Sequence, residues 1–191
     1  MAPLERAGLR RWRRRLWARV PRGGRGLEVG AGTGANCGLH PDGAVVTTDV
    51  SWRMLARASE KPACEGRLFV VSDVQALPFR DAAFDWVAET FVFCEVPDPD
   101  AGLREVRRVL RPGGTFLLLE HVRPGGALGV GADLLTAITR PLWGEHFNRD
   151  TEAAVRAAGF EVTRREQLWR DLFVLLVARA PAAPALPSGS S

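Results

Sequence analysis

Residues 27 to 34 read Leu27-Glu28-Val29-Gly30-Ala31-Gly32-Thr33-Gly34. The stretch predicts a short buried strand over residues 26–29 that runs directly into a glycine-rich turn. Closely spaced glycines remove Cβ atoms where a backbone turns tightly and where a ligand can come close. Asn36 is predicted to begin a helix whose free N–H groups face the same ligand. A strand, a glycine turn and a helix in this order indicate a nucleotide-type binding loop.

Length and composition limit the classes of protein. At 191 residues with a hydrophobic fraction of 46%, the chain is expected to form one domain with a sizeable core. No apolar run approaches the roughly 20 residues of a membrane span and no secretory signal is visible, so a cytoplasmic protein is expected. The widely spaced cysteines Cys37, Cys64 and Cys94 predict no metal site and no disulfide framework.

The positive charge is concentrated ahead of the glycine loop. The net charge is +4, Lys61 is the only lysine, and arginines crowd residues 1–25, which form a basic N-terminal lead-in. The remainder of the chain is slightly acidic, so no nucleic-acid partner is expected.

Residues 4–19 of the lead-in can form a helix, and its arginines are expected to lie away from one apolar stripe. The stripe consists of Leu4, Leu9, Trp12, Leu16 and Val20. One interpretation is an amphipathic helix packed on the domain with a solvated basic face. The other is an interfacial helix that touches an anionic membrane or an acidic partner, with Trp12 and Trp17 as anchors.

Strands and helices alternate along the rest of the chain. Predicted strands cover residues 26–29, 44–48, 67–71, 84–89, 115–120, 160–167 and 172–180. Predicted helices cover residues 52–59, 100–110 and 132–142, and a further helix runs from Asn148 or Asp150 to Ala158. This alternation predicts right-handed βαβ units and a mainly parallel α/β sheet over residues 26–180. Residues 125–131 are glycine-rich, and residues 181–191 are expected to be disordered.

Carboxylates at strand ends indicate which nucleotide the loop would hold. Glu28, beside the loop, would repel a pyrophosphate but suits a cationic group such as the ammonium or sulfonium of S-adenosylmethionine. The alternative for Glu28 is a carboxylate that braces the loop. Asp49 follows the second strand, where a carboxylate can accept hydrogen bonds from both ribose hydroxyls. Asp73 follows the third strand, and with Val74 it can meet an adenine ring.

Four stretches in order resemble the class I S-adenosylmethionine-dependent methyltransferases, including enzymes of the ubiquinone/menaquinone-biosynthesis type. The stretches are LEVGAGTG at 27–34, TTDVSWRML at 47–55, SDVQALPFRDAAFDWV at 72–87 and EVRRVLRPGGTFLLLEH at 105–121. Residues from Glu120 to Phe160 are further, and more weakly, similar to the methyltransferase-like 7 group and to bacterial phospholipid N-methyltransferases.

The resemblance implies a Rossmann-like, doubly wound, mostly parallel seven-stranded sheet with an antiparallel last strand. It also implies the roles of the cofactor-binding residues. The methionine portion is assigned to the loop, Asp49 to the ribose, Asp73 and Val74 to the adenine, and Glu89 and Thr90 to the surroundings of the sulfur. The full expected set is Glu28, Gly30, Ala31, Gly32, Gly34, Asn36, Asp49, Val50, Met54, Asp73, Val74, Glu89 and Thr90.

The lead-in is shorter than the N-terminal lid helix that such proteins commonly carry. The acceptor pocket is therefore expected to be more open, or completed by a partner or a membrane surface.

Methyl transfer needs a general base only when the nucleophile arrives protonated. Candidates are Glu120, His121 and His146, each with the alternative of a packing or hydrogen-bonding role. Cys94 is interpreted as a small core residue, and Trp143, Phe147 and Trp169 as either core or an apolar pocket lining.

Three functions remain open on the sequence. The first is a methyltransferase that uses S-adenosylmethionine and acts on a small or lipophilic acceptor, such as a thiol, a quinone or phenol, or an amine. The second is a non-catalytic protein that binds S-adenosylmethionine. The third is an NAD(P)-dependent oxidoreductase, which Glu28 and the absence of any tyrosine disfavour.

Overall fold

The computed structural model describes residues 3–121, 151–169 and 172–182, with side chains from residue 8 onward. The predicted helix at 132–142, the glycine-rich segment at 125–131 and the candidates Trp143, His146 and Phe147 lie outside the described residues. So does most of the tail at 181–191.

Four α-helices and seven β-strands alternate along the described part of the chain. In order they are α1 (Pro3–Trp17), β1 (Arg25–Val29), β2 (Ala44–Asp49), α2 (Trp52–Ser59), β3 (Leu68–Val71), β4 (Phe84–Thr90), α3 (Pro99–Val109), β5 (Leu110–His121), α4 (Thr151–Ala157), β6 (Glu161–Leu168) and β7 (Phe173–Arg179). Two single turns of 3₁₀-helix lie in the connections: Cys37–Leu39 lies between β1 and β2, and Pro62–Cys64 lies between α2 and β3.

The strands form one sheet in the order β3-β2-β1-β4-β5-β7-β6. Every neighbouring pair is parallel except those made by β7, which runs antiparallel to both β5 and β6. The predicted doubly wound sheet with an antiparallel last strand is therefore confirmed. Glu28 pairs with Thr47 on β2 and with Ala88 on β4, so the carboxyl ends of these strands meet at one edge.

Both faces of the sheet are covered. Phe116 and Leu118 of β5 pack into the core under α3 and α4, whereas Leu117 and Leu119 pack into the core on the α1 side. These four side chains have no exposed surface. A central parallel strand that is buried on both faces needs such a continuous apolar run rather than an alternating one.

Helix α1 packs against the domain. Leu16, Trp17 and Val20 are buried, and the Trp17 ring meets the Trp86 ring edge-on with centroids 6.0 Å apart. Arg19 forms an ion pair with Glu166 of β6. Trp17 therefore belongs to the core, and the interpretation of this residue as a membrane anchor is wrong. None of the helices in the described ranges is both long and apolar enough to cross a bilayer.

The predicted helix that begins at Asn36 is wrong, because only the single turn Cys37–Leu39 forms there. Gly38 disfavours a helix, and Pro41 restricts the backbone of His40 to an extended conformation. His40 has a ψ of 140°, which ends the turn.

The expectation of no disulfide framework missed one bond between two of the three cysteines. Cys37 and Cys64 are bonded, with Cα atoms 5.0 Å apart. They are 27 residues apart in sequence, but the two 3₁₀ turns that carry them pack side by side. Their partnership depends on this tertiary contact, which the cysteine spacing does not reveal.

Strand β5 is longer than predicted because it begins at Leu110 instead of residue 115. Gly113 has a φ of 70°, and its N–H donates to the Ala180 carbonyl at 3.2 Å. The Ala180 N–H in turn donates to the Gly114 carbonyl at 2.9 Å. The Pro-Gly-Gly segment that ends α3 therefore continues the sheet as an irregular strand.

Gly26 is predicted to be essential for stability. A Cβ at this position would lie 1.9 Å from Cζ2 of the buried Trp86. We expect Gly26→Ala to lower the free energy of unfolding by about 3 kcal/mol through overpacking, measured by urea unfolding. Gly8→Ala is the matched control. A Cβ there meets nothing closer than 3.9 Å, so this helical substitution should stabilise by roughly 0.5–1 kcal/mol. Equal stability of the two variants would contradict this account of the core.

Candidate cofactor and active site

The glycine loop adopts backbone conformations that other residues avoid. Gly30, Gly32 and Gly34 have φ values of 64°, 54° and 73°. A Cβ at Gly30 would also lie 2.1 Å from Cγ2 of Val92, in the loop after β4. The Ala31 N–H donates to the Thr48 carbonyl at 2.9 Å, which anchors the loop to β2. Glycine is thus required here both by conformation and by close approach.

Asp49 connects the loop to the start of α2. Its Oδ2 accepts from the Gly32 N–H at 2.7 Å, and its Oδ1 accepts from the Ser51 N–H at 2.8 Å. Ser51 caps α2 by accepting from the Met54 N–H. Each carboxylate oxygen has two lone pairs, so Asp49 keeps acceptor capacity for a ligand hydroxyl.

A cavity of about 540 Å³ opens at this edge of the sheet. Its lining includes seven of the predicted residues, namely Gly30, Gly32, Asp49, Val50, Met54, Asp73 and Val74. Val50 and Met54 are 70% and 45% exposed, so the cavity offers apolar surface beside the Asp49 carboxylate. The exposed Asp73 carboxylate accepts from the Gln75 N–H at 2.8 Å, which fixes its direction.

Glu28 does not line this cavity. It is fully buried, and its Oε1 accepts from Asn36 Nδ2 at 2.7 Å. Its Oε2 lies 2.7 Å from Nε2 of the buried His40. With both oxygens held in this way, Glu28 braces the turn that follows the glycine loop. Ala31, Gly34, Asn36, Glu89 and Thr90 also lie outside the cavity lining.

Arg13 of α1 is a residue that the sequence interpretation missed. Its Nη1 donates to Asn36 Oδ1 at 3.0 Å and to Thr90 Oγ1 at 2.6 Å. Its guanidinium carbon lies 5.4 Å from the centroid of the Phe91 ring, which lines the cavity. Burial lowers the pKa of Arg13, whereas Glu28 and Glu89 act in the opposite direction. The helical period could have identified Arg13 in the sequence. Position 13 falls four residues after Leu9 and three before Leu16, which places it on the same face of the helix as these apolar residues.

Two buried carboxyl groups, Glu89 and Glu120, lie next to each other beneath the loop after β4. Glu120 Oε1 accepts from the Val92 and Phe93 N–H groups at 2.8 and 2.6 Å, and Glu89 Oε2 accepts from Val92 at 3.1 Å. Burial raises the pKa of Glu89 well above its usual range, and the Glu120 charge raises it further. Burial also raises the pKa of Glu120. The raised pKa values favour protonation of the pair, and its hydrogen bonds to Val92 and Phe93 fix the loop that carries Phe91 and Val92.

His121, the second candidate base among the described residues, lies in an aromatic cluster. Its ring centroid is 4.9 Å from that of Phe91 and 4.5 Å from that of Phe173. Trp169 stacks on Phe173 at 6.0 Å and is 60% exposed. Polar atoms of Cys94, Glu120 and His121 lie within 4.8 Å of one another. Burial raises the pKa of the Cys94 thiol, which fits its interpretation as an inert core residue.

The chain matches known proteins over this same region. The family described as "Methyltransferase domain" matches residues 27–118. The ubiquinone/menaquinone biosynthesis C-methyltransferase UbiE of Hahella chejuensis is 34% identical over 156 residues, which cover 73% of this chain and 63% of that protein. These matches support a class I S-adenosylmethionine-dependent methyltransferase domain.

Further relatives support the same methyltransferase family. The phosphatidylethanolamine N-methyltransferase of Cereibacter sphaeroides is 42% identical over 118 residues, covering 57% of each chain. An S-adenosylmethionine-dependent methyltransferase from Mesorhizobium loti is 25% identical with a TM-score of 0.68, covering 86% of this chain and 95% of that one.

The [4+2]-cyclase SpnF shares the fold with a TM-score of 0.76 at 22% identity, covering 91% of this chain and 82% of that one. A shared fold alone does not decide the reaction. The chain spans about half to three-fifths of the length of the curated relatives that it matches. These are the two relatives above and a demethylmenaquinone methyltransferase from Roseiflexus castenholzii.

The cavity fits S-adenosylmethionine, the cofactor that the matched methyltransferase family uses. Gly30 and Gly32 leave one wall without side chains, and a Cβ at Gly32 would face only Met54 Sδ at 3.8 Å. Elsewhere in the lining, the Asp49 carboxylate can accept hydrogen bonds from a ribose, and the apolar surface of Val50 suits the flat base joined to that ribose.

The raised pKa of Glu89 predicts a pH-dependent stability. The folded chain holds this proton more tightly than the unfolded chain does. Its contribution is complete below the unfolded pKa of about 4.3 and is lost as the pH rises through the folded pKa. Glu89→Gln keeps a side-chain oxygen that can accept from the Val92 N–H, and it does not ionise. We expect this variant to exceed the wild type in unfolding free energy at pH 7, by about 1.4 kcal/mol per unit of the pKa difference.

The difference in unfolding free energy between Glu89→Gln and the wild type should vanish near pH 4. Urea unfolding at a series of pH values measures this difference. Glu105→Gln is the control of opposite sign. The hydrogen bond from Arg108 lowers the pKa of Glu105, so its contribution is present at neutral pH and lost in acid. An unfolding free energy of Glu89→Gln below that of the wild type at pH 7 would contradict the raised pKa of Glu89.

Proposed function

We propose that this chain transfers a methyl group from S-adenosylmethionine to a small or lipophilic acceptor. The observation that carries the proposal is the cavity in which Gly30, Gly32, Asp49 and Asp73 converge from the ends of three parallel strands. Ligands of open α/β sheets bind in such a crevice. The family match over residues 27–118 supports the same donor.

On this proposal, the adenosine half occupies the wall formed by β2, β3 and α2. Asp49 accepts hydrogen bonds from the ribose hydroxyls, while Val50 and Met54 contact the adenine through their exposed apolar surfaces. Asp73 accepts from the adenine amine, with Val74 beside it. The segment after β2 thus contacts the ribose, and the segment after β3 contacts the adenine.

The methionine half lies along the glycine loop, from Gly30 through Ala31 and Gly32 to Gly34. Glu28 acts there through its charge and through Asn36, because its own oxygens are already bonded. Glu89 and Thr90 take a supporting position at the end of β4, behind Phe91.

Bound in this way, S-adenosylmethionine supplies an activated methyl group on a sulfonium. The chain's main tasks are then to orient the acceptor in line with that methyl and to exclude water. Glu120 is assigned a positioning role, since its Oε1 accepts two backbone N–H groups and its side chain is buried. His121 is the better-placed general base for a protonated acceptor because its ring lies in the aromatic cluster beside Phe91.

The acceptor we favour is lipophilic and contains a flat ring. Phe91 belongs both to the cofactor cavity and to the aromatic cluster with His121 and Phe173, so apolar surface begins where the donor cavity ends. Trp169 extends this surface to solvent. Quinone C-methylation is named for the UbiE relative and phospholipid N-methylation for the Cereibacter relative, and both of these acceptors are lipophilic.

If helix α1 contacts an anionic membrane surface, a lipophilic acceptor dissolved in that membrane would be brought close to the cavity. Trp12 packs on Phe173 with ring centroids 4.6 Å apart, and Trp17 is buried, so neither tryptophan is available as an anchor. The outer face of α1 instead exposes Arg10, Arg11, Arg14 and Arg15. Their attraction to anionic lipid would be electrostatic and would weaken with salt.

Asp49 provides the first test of the donor. We expect the wild type to bind S-adenosylhomocysteine and S-adenosylmethionine in calorimetry but not NAD. Asp49→Asn removes the charge that accepts the ribose hydroxyls, so it should weaken both by about tenfold to a hundredfold. Asp42→Asn, at an exposed position before β2, should bind as the wild type does. Equal affinities in Asp49→Asn and the wild type would remove Asp49 from the site.

Acceptor identity requires a product assay. We expect the wild type to methylate a quinone or phenol that is dissolved in anionic vesicles, with the product detected by mass spectrometry. Thiol and phospholipid acceptors are tested in parallel, and Asp49→Asn at subsaturating donor should lower the rate. Donor binding without product from any acceptor class would favour the non-catalytic binding protein. Binding of NAD but not of S-adenosylmethionine or S-adenosylhomocysteine would instead support the hypothesis of an NAD(P)-dependent oxidoreductase.

A further inference from the structure

The Cys37–Cys64 disulfide lies directly against the end of the glycine loop. A Cβ at Gly34 would lie 2.6 Å from Cys64 Sγ and 3.0 Å from both Cys37 Sγ and the Cβ of Ala58. Both cysteines are buried, and with Ala58 they form a small packed cluster of their own. Because Gly34 has no side chain, the two sulfur atoms pack against the backbone of the loop itself.

The loop connects Gly34 to the cavity. The Gly34 N–H donates to the Ala31 carbonyl at 3.0 Å, which closes the turn around Gly32. Gly32 lines the cavity, and its N–H donates to Asp49 at 2.7 Å. A displacement of Gly34 therefore moves backbone groups on the wall that we assign to the methionine half of the donor.

The disulfide also holds the turn that bonds Glu28. Cys37 lies between Asn36 and His40 in sequence. The side chains of these two residues each bond a Glu28 carboxylate oxygen at 2.7 Å. A change at Cys37 therefore reaches the buried carboxylate as well as the loop.

Cys64 lies on the connection between α2 and β3. Two hydrogen bonds join this connection to the loop region besides the covalent bond. Lys61 Nζ donates to the Thr33 carbonyl at 2.5 Å, and Arg67 Nη2 donates to the Cys37 carbonyl at 3.4 Å. Both donors are at the ends of long side chains that can reorient, so the disulfide is the rigid attachment of the two.

The same connection gives a reductant access to the bond. Cys64 is the one buried residue in the run 59–66, and the others are exposed. A segment with so few buried contacts opens locally at a low free energy. An opening here exposes Cys64 Sγ to an attacking thiolate.

We propose that the Cys37–Cys64 bond is a redox modification site, at which reduction by a dithiol weakens the binding of S-adenosylmethionine. The assignment rests on the proposed function, because it takes S-adenosylmethionine as the ligand. Reduction replaces a covalent bond by a contact between two non-bonded sulfur atoms, which need more room. In a close-packed cluster this displaces Gly34 and the turn at Cys37.

The exchange proceeds in two steps. One thiolate of the dithiol attacks Cys64 Sγ, the S–S bond breaks, and Cys37 leaves as a thiolate that takes up a proton. The second thiolate of the dithiol then attacks its own sulfur of the mixed disulfide and releases Cys64 as a thiol. The protein gains two electrons and two protons, and the dithiol loses the same number to become a disulfide.

The first test is calorimetry with S-adenosylhomocysteine on the oxidised wild type and on the wild type in excess dithiothreitol. Reduction should weaken binding by about fivefold to a hundredfold, the usual range of coupling between two sites. Alkylation in denaturant followed by mass spectrometry reports the redox state. Only Cys94 should be alkylated in the oxidised chain, and Cys37 and Cys64 should join it after reduction.

Matched variants assign the effect to this bond. The double variant Cys37→Ser, Cys64→Ser cannot form it, so its affinity should equal that of the reduced wild type with or without dithiothreitol. Cys94→Ala retains the bond and should respond to dithiothreitol as the wild type does.

A second measurement needs no variant. Because coupling is reciprocal, saturating S-adenosylhomocysteine should protect the bond by the same factor by which reduction weakens binding. In dithiothreitol redox buffers, the ratio of reduced to oxidised dithiothreitol at half-reduction should rise by that factor. Circular dichroism of the reduced chain should retain the helix and sheet signal.

The outcomes separate this assignment from the proposed function. Equal affinities of the oxidised and reduced chains, or alkylation of Cys37 and Cys64 without reduction, would overturn the redox site and leave the donor in place. Loss of the circular dichroism signal on reduction would also overturn it, because the bond would then support the whole fold. Failure of both redox forms to bind S-adenosylmethionine or S-adenosylhomocysteine would overturn the proposed function itself.

Discussion

The Glu28 carboxylate is the interaction on which the candidate site depends. A fully buried carboxylate is costly unless its oxygens are bonded, and here His40 and Asn36 bond them. Asn36 then bonds Thr90 at the end of β4 and Arg13 on α1. One buried charge thereby fixes the relative positions of the first strand, the turn behind the glycine loop, the fourth strand and the N-terminal helix. The glycine loop and the segment after β4, which this network holds, contribute Gly30, Gly32 and Phe91 to the lining of the cavity.

Sequence spacing predicted the fold and the strand-end carboxylates that line the cavity, because both depend on local features. Alternating strands and helices place the carboxyl ends of parallel strands at one edge, so Asp49 and Asp73 reach one cavity together. The Ser51 cap and the glycine loop are likewise encoded within a few residues. Glu28 occupies the same kind of position, yet the structure turns it away from the cavity. Its partner His40 lies across the turn, which no strand-end rule could show.

The features that the sequence did not reveal are contacts between distant segments. Cys37 meets Cys64 only because two 3₁₀ turns pack together, and the Glu89 and Glu120 carboxyls share a site only because β4 and β5 are neighbours. Arg13 looked like one of many solvated arginines, although the helical period places it on the packed face of α1. Each of these requires the tertiary arrangement before its partner is known.

The close approach of Val92 to Gly30 has a consequence for how this sequence can evolve. Because a Cβ at position 30 would overlap the Val92 side chain, a substitution of Gly30 requires a smaller residue at position 92 first. The left-handed φ of Gly30 would still penalise the exchange after that change. Positions 30 and 92 are therefore coupled across 62 residues of sequence, and substitutions at them can accumulate in only one order.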